Sequence, residues 1–368
     1  MQNIICILAF LAIGSINVTG QSKQDSLQPK VTFKGLFQSR FIFSLKKEVD
    51  VNGLHHTDGK GVNNTFDIRR ARAQFSARIS DRTEAVLLLN LADFKTNPQN
   101  KVLENAFLTY RLNSYINFRV GQFRPAFGLE DTYPIDIIKS FDYSNQYNAF
   151  SNNGWQSFQI GLSMYGGLKS VPLKYELTVI NGNNRNQPSD DDNGKQATLR
   201  LQLEPVKNYK IGVNGGYGKH HKQNIYAAGI DASVIIPLKE KLSLELETEW
   251  KQGNNHALFF SLDTSLRIGN VNRYIMHGFY ILPNLRYAIE HRRLSSIELS
   301  CRYESLELNY KNAPNARQTI TPMLGLEFLK AYNARIQIGI VADIYRKNIP
   351  ASTQYNNQLF IVQVQSRL

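Results

Sequence analysis

Residues 70–79 read Arg70-Ala71-Arg72-Ala73-Gln74-Phe75-Ser76-Ala77-Arg78-Ile79, and their alternation decides the fold class. Successive side chains of an extended strand point to opposite faces, so Ala71, Ala73, Phe75, Ala77 and Ile79 share one side. Arg70, Arg72, Gln74, Ser76 and Arg78 share the other. A helix would scatter both sets around its circumference. The same two-residue period returns where Ala197, Leu199, Leu201 and Leu203 oppose Thr198, Arg200, Gln202 and Glu204. It returns again where Leu242, Leu244 and Leu246 oppose Ser243, Glu245 and Glu247, and where Ile336, Ile338 and Ile340 oppose Arg335 and Gln337. Residues 85–91 and 272–290 are less regular, being apolar on both faces.

Extending this reading outward gives strands at 31–44, 65–79, 82–94, 102–112, 115–124, 155–166, 172–182, 195–204, 208–218, 224–236, 240–252, 272–290, 294–308, 315–330, 333–346 and 357–368, about sixteen in all. Their connections alternate in length: 45–64 is followed by 80–81, 95–101 by 113–114, 125–154 by 167–171, and 183–194 by 205–207. The short link 219–223, where a long one is due, is the exception. A soluble sandwich has no reason to sort its loops in this way. A transmembrane antiparallel β-barrel does, with tight turns at one rim and long loops at the other. An even strand number then brings both ends of the chain to the rim of short turns. No lipid-facing position in the alternating segments above carries Lys or Arg, a placement that would cost about 2–4 kcal/mol near the bilayer midplane.

The first twenty residues are of another kind. Ile4 to Ile13 is an apolar run of signal-peptide length, and Val18-Thr19-Gly20 offers small residues for cleavage after Gly20. Residues 1–20 are therefore expected to be a cleaved export signal and 21–368 the barrel, which places the protein in a cell outer membrane. Cys6 would leave with the signal, and Cys301 alone allows no intramolecular disulfide. Residues 1–20 contain no Asp, Glu, Lys or Arg, so the mature chain keeps the whole net charge of +13. Such a charge suits anionic lipid or anionic solutes; no helix-turn-helix, zinc or RNA-binding pattern supports a nucleic-acid partner.

Several stretches resemble the phosphate-selective porin O and P family. They are Phe66-Asp67-Ile68-Arg69-Arg70-Ala71-Arg72, then Glu104-Asn105-Ala106-Phe107-Leu108-Thr109-Tyr110, and most specifically Arg119-Val120-Gly121-Gln122-Phe123-Arg124-Pro125-Ala126-Phe127-Gly128-Leu129-Glu130. Val179-Ile180-Asn181-Gly182 and Arg302-Tyr303-Glu304 are weaker echoes. The resemblance implies a homotrimeric sixteen-stranded diffusion channel, arginines along the conducting path, and a third loop folded inward. Connection 125–154, the longest here, would be that constriction loop. The chain departs from the usual pattern in ending Val364-Gln365-Ser366-Arg367-Leu368 rather than on an aromatic residue.

Pore selectivity arises from diameter and from rows of lining charge. Arg70, Arg72, Arg119 and Arg124 are expected on the basic side of the constriction, with Arg200 further along the wall; guanidinium forks suit phosphate and carboxylate. Glu130, Asp131, Asp136 and Asp142, with Lys139, are the loop charges expected to face them. Lumen acids such as Glu245, Glu247 and Glu249 nearly balance the lumen bases, which favours a transverse field and a modest anion preference over strict phosphate selection. The same arginines could instead pair with those acids and serve only the barrel's shape. The function expected is passive diffusion of small hydrophilic solutes; the alternative is a plugged structural or adhesive barrel acting through its surface loops.

Enzymatic chemistry finds little footing. There is no G-x-S-x-G, and nothing singles out a Ser–His pair. Gly212, Gly215, Gly216 and Gly218 are not followed by a helix, as a phosphate-cradling loop would require, and suit crowded strand faces better. His55-His56 and His220-His221 are adjacent pairs in expected loops, with diverging side chains and no carboxylate or thiol at ligand spacing, so no metal and no cofactor is expected.

Overall fold

In the computed structural model, which describes residues 30–95, 102–168, 170–187, 189–289, 291 and 293–368, the chain folds as one closed antiparallel sheet. The strands are β1 (Lys30–Ser44), β2 (Asn64–Arg78), β3 (Thr83–Asn90), β4 (Leu103–Arg111), β5 (Asn117–Phe123), β6 (Gln159–Leu168), β7 (Leu173–Ile180) and β8 (Gln196–Val206). They continue as β9 (Tyr209–His220), β10 (Gln223–Lys239), β11 (Leu242–Asn254), β12 (Ile275–Ala288), β13 (Ser296–Glu307), β14 (Arg317–Leu329), β15 (Ala334–Tyr345) and β16 (Asn357–Arg367). Each pairs with its sequence neighbours, and β1 closes the sheet on β16 with Gln38 opposite Gln365 and Arg40 opposite Gln363. Closure leaves no edge, so every strand finds backbone partners on both sides, which hydrocarbon demands. The expected export signal, residues 1–20, lies outside the described residues.

Burial is inverted relative to a soluble protein. In β13, Glu298, Ser300, Arg302 and Glu304 are buried while Leu299 is 60% exposed. Phe33, Phe75, Val120, Ile230 and Trp250 likewise face outward, and Arg200, Asp231, Lys251, Gln337 and Gln363 face inward. The alternation therefore separates an oily exterior from a polar interior.

Differences from the sequence reading are local. Strand β3 stops at Asn90, and Leu91–Lys95 winds into a 3-10 turn. Strand β6 begins at Gln159 rather than 155, because Trp155 is fully buried with Phe127 and Phe150 in a packed apolar cluster. The short link between β9 and β10 is a two-residue hairpin in which His221 and Lys222 take φ of 45° and 66°, the left-handed pair that matches strand twist.

Connection 124–158 carries two helical pieces, a 3-10 turn at Glu130–Thr132 and α1 (Asn145–Asn152). Ser144 caps α1 by accepting a hydrogen bond from the Tyr147 backbone N–H. The connection contacts inward-facing side chains on opposite walls. Ile135 and Ile138 pack with Leu36 of β1, Lys139 reaches Glu245 and Glu247 of β11, and Arg335 of β15 donates to Ile138 O at 2.9 Å. A second short helix, α2 (His256–Ser261), lies in the connection after β11.

Candidate functional site

The basic stretch of β2 owes its geometry to a bulge. Gln38 pairs with Arg70 but Ser39 pairs with Ile68, so Arg69 is an extra residue on β2. Thr65 and Asp67 point inward before it, Arg70, Arg72 and Gln74 after it, and the Arg69 guanidinium still reaches the interior. Arg40 of β1 adds a fourth guanidinium from the neighbouring strand.

Asp142 of the long connection is the counter-ion. Arg40 Nη1 lies 2.6 Å from its Oδ2, and Arg70 Nη2 and Arg69 Nε lie 2.7 and 3.2 Å from its Oδ1. Burial would raise the Asp142 pKa, but Arg40, Arg69 and Arg70 outweigh it and hold the carboxyl well below the usual range. Arg302 of β13 donates to Asp142 O at 2.7 Å and pairs with Glu304 at 2.7 Å. Glu304 in turn accepts from the Asn145 N–H at 2.6 Å, at the start of α1. Against this cluster lies a cavity of about 750 Å³, lined by Arg40, Arg69, Lys95, Arg302 and Arg317 and by Asp67, Asp93, Asp142 and Glu304, on the side of the long loops.

The opposite anchor is acidic. Lys139 bridges Glu245 at 2.9 Å and Glu247 at 2.7 Å on β11. The Leu129 N–H donates to Glu249 at 3.0 Å, and Lys251 pairs with Glu249 at 2.7 Å. Gly128 permits this approach: its φ is +124°, and a Cβ there would sit 2.0 Å from Glu249 Oε1. Gly121, with φ +122°, sits where a Cβ would lie 2.3 Å from Ala106 O of the neighbouring β4. These two contacts give the FGLE and RVGQF glycines their physical reason.

Of the arginines expected at the constriction, only Arg70 joins the Asp142 cluster. Arg72 pairs with Glu104 at 2.7 Å. Arg119 faces Glu176 at 3.3 Å and stacks among Phe107, Phe123 and Tyr165. Arg124 ties the connection to itself through Tyr143 and the Tyr133 carbonyl, and Arg200 forks onto Asp231 at 2.5 and 2.9 Å. Of the loop acids, Asp142 meets Arg70 and Asp131 lies 3.9 Å from Arg124. Glu130 caps Ser144 and lies 3.8 Å from Arg302; Asp131 accepts from Gln156 at 2.7 Å; Asp136 pairs with Arg367 at 2.7 Å. Burial pushes Glu130 up to about 7 against the pull of Arg302, and Asp131 up to about 6 against that of Arg124.

Arg40 and Arg69 escaped the sequence reading for different reasons. Arg40 shares the parity of Gln38 and was legible; Arg69 became inward only through the bulge, which leaves no signature in the sequence. A further correction concerns the histidines. No carboxylate stands near His220-His221 in sequence, yet the fold brings Asp192 to 3.1 Å from His220 Nδ1. On β9 the glycines make room: a Cβ on Gly216 would meet Trp155 at 2.6 Å, and one on Gly212 would meet Asp231 at 2.4 Å.

Residues 44–230 match the sequence model of the family described as phosphate-selective porin O and P. The chain belongs to this porin family. Its barrel superposes on an anion-selective porin from Comamonas acidovorans (TM-score 0.62, 8% identity, 93% of this chain and 100% of that one). It superposes also on OmpF of Salmonella typhi (0.60, 11%, 92% and 98%) and on the outer-membrane channel DcaP of Acinetobacter baumannii (0.59, 11%, 92% and 97%). At such identities the likeness shows the fold alone. No curated protein sequence matches the chain. As a member of the family, this porin is an outer-membrane channel for passive diffusion of small solutes.

Proposed function

We propose that this porin passes small hydrophilic solutes with a modest preference for anions, past a third loop that narrows the lumen. The observation that carries the reading is the Asp142 cluster, where three guanidinium groups surround one carboxylate and leave a local excess of positive charge beside the cavity. Guanidinium remains charged at every relevant pH and offers forked donors to phosphate or carboxylate. The preference is modest because Asp67, Asp93 and Glu304 share the same cavity. Arg119, Arg124 and Arg200 hold wall and loop in shape, and Arg72 does so through Glu104.

The reading includes export by cleavage after Gly20, insertion in outer-membrane lipid and assembly as a homotrimer, each supported by the sequence pattern or the family. Reversal potential across a potassium chloride gradient tests it. The wild type should lean toward chloride, and Arg69→Gln with Arg70→Gln should remove the lean; a cation-selective wild type would end the proposal. A second void of about 320 Å³, lined by Ala126, Thr132 and Tyr133 together with Arg200, lies on the other side of the loop. The second reading is a plugged barrel in which the connection between these voids closes the lumen, and an insulating protein would select it.

A further inference from the structure

Three connections at the long-loop rim bring imidazole and carboxylate groups together away from the pore. Asp192 comes from the connection after β7, His220 and His221 from the β9–β10 hairpin, and His256 from the start of α2. His220 Nδ1 lies 3.1 Å and His221 Nδ1 4.0 Å from Asp192 Oδ2. Side chains at adjacent strand positions diverge, but His221 has φ +45° at the turn, and both rings swing toward the same oxygen with centroids 4.5 Å apart.

The three donor atoms all lie within 4.8 Å of one another, so a small closing of the rings brings them within the span of about 4.4 Å that two metal–ligand bonds of about 2.0–2.2 Å reach. Asp192 is held ready: its Oδ1 accepts from the Gly194 N–H at 2.5 Å and its Oδ2 from the His221 N–H. Phe260 packs edge-on against both rings, at 5.3 and 4.8 Å, and limits their swing. An independent sign lies beside them. His256 is only 2% exposed, its ring sits 4.6 Å from that of His220, and its Nδ1 is buried without a hydrogen-bond partner among the described residues. A buried imidazole nitrogen with no hydrogen-bond partner is costly unless something occupies it.

We propose that Asp192, His220 and His221 bind a divalent transition-metal ion beside the buried, unpartnered imidazole of His256. Imidazole with a single carboxylate suits zinc, copper or nickel rather than calcium or magnesium, which take oxygen ligands. The ion would fasten the connection after β7 to the β9–β10 hairpin at the long-loop rim.

The test uses the whole barrel in detergent, titrated calorimetrically with zinc chloride near neutral pH. One zinc per chain is expected. The His220→Ala/His221→Ala variant should bind at least about tenfold more weakly, since losing even an outer-shell partner costs about 10–100-fold. His55→Ala/His56→Ala, which removes the separate pair beside Asp50, should bind as the wild type does. Equal binding by the His220/His221 variant, or no stoichiometric binding by the wild type, overturns the proposal. Should that variant fail to form a barrel, cobalt(II) added to the wild type decides: intense visible bands of a four-coordinate nitrogen–oxygen site support it, and the weak spectrum of hydrated cobalt refutes it.

Discussion

Replacing Asp142 by Asn removes one negative charge from the centre of the arginine cluster while keeping the side chain's shape. Arg40 and Arg69, which line the cavity, and the buried Arg70 beside them would then have no carboxylate among them. For a solute about 7 Å away, one charge in water is worth about 0.6 kcal/mol, falling to about 0.3 kcal/mol once 0.1 M salt screens it. An anion gains this amount and a cation loses it, so the anion-to-cation permeability ratio should rise about three- to eightfold, most at low salt. Loss of a buried partner also weakens loop docking, because removing one member of such a pair costs about 3–5 kcal/mol where water does not reach. The cavity supplies water here, so docking through Lys139 and Leu129 should persist. The assay is reversal potential in planar bilayers at 0.1 M and 1 M salt. A ratio unchanged at low salt, or moved toward cations, would refute the placement of the cluster on the conducting path.

Lys139→Met leaves Glu245 and Glu247 without their ammonium partner; open-channel current noise should rise and selectivity should move toward cations, both read in single-channel records. Gly128→Ala forces a Cβ into Glu249 at φ +124°, a strain of about 1–3 kcal/mol, so the loop should undock and trypsin should cut after Lys139 in the variant and spare the wild type. The pH dependence follows from Glu130 and Asp131, whose pKa values in the folded loop, about 7 and about 6, lie above their ordinary values of 4.5 and 3.8. Stability from an acid with a raised folded pKa is complete below its unfolded pKa and fades as pH rises through the folded one. The docked loop should therefore loosen between about pH 4 and pH 7, seen as growing current noise, and Glu130→Gln/Asp131→Asn should flatten that trend.

The barrel was legible because a membrane wall obeys a strict rule: residues such as Leu299 and Glu298 cannot exchange faces without exposing charge to lipid. Turn positions were legible for the same reason, since a strand must end where the bilayer does. The site was legible only in part. Arg70 could be read from its parity and Asp142 as one of four acids on the inward loop, but not that these two meet, because the tertiary path of a long connection has no periodicity to mark which acid arrives where. Glu130 and Asp131 look equivalent to Asp142 in the sequence; α1 and Gly128 turn them toward Ser144 and Gln156 instead. Arg69 illustrates a different limit. A bulge shifts parity by one residue, and either parity of Phe66–Arg72 places some arginine inside. The meeting of Asp192 with His220 likewise rests on loops joining across the rim.

If the proposed function holds, a water-filled route runs through this barrel past the docked loop and beside the arginine cluster. Recording single purified channels in a planar bilayer, with chloride replaced by phosphate on one side, addresses it most directly. Discrete conductance steps in chloride, reduced by millimolar phosphate entering the cluster, are the predicted result. Bilayers that take up the folded protein and remain insulating would contradict it.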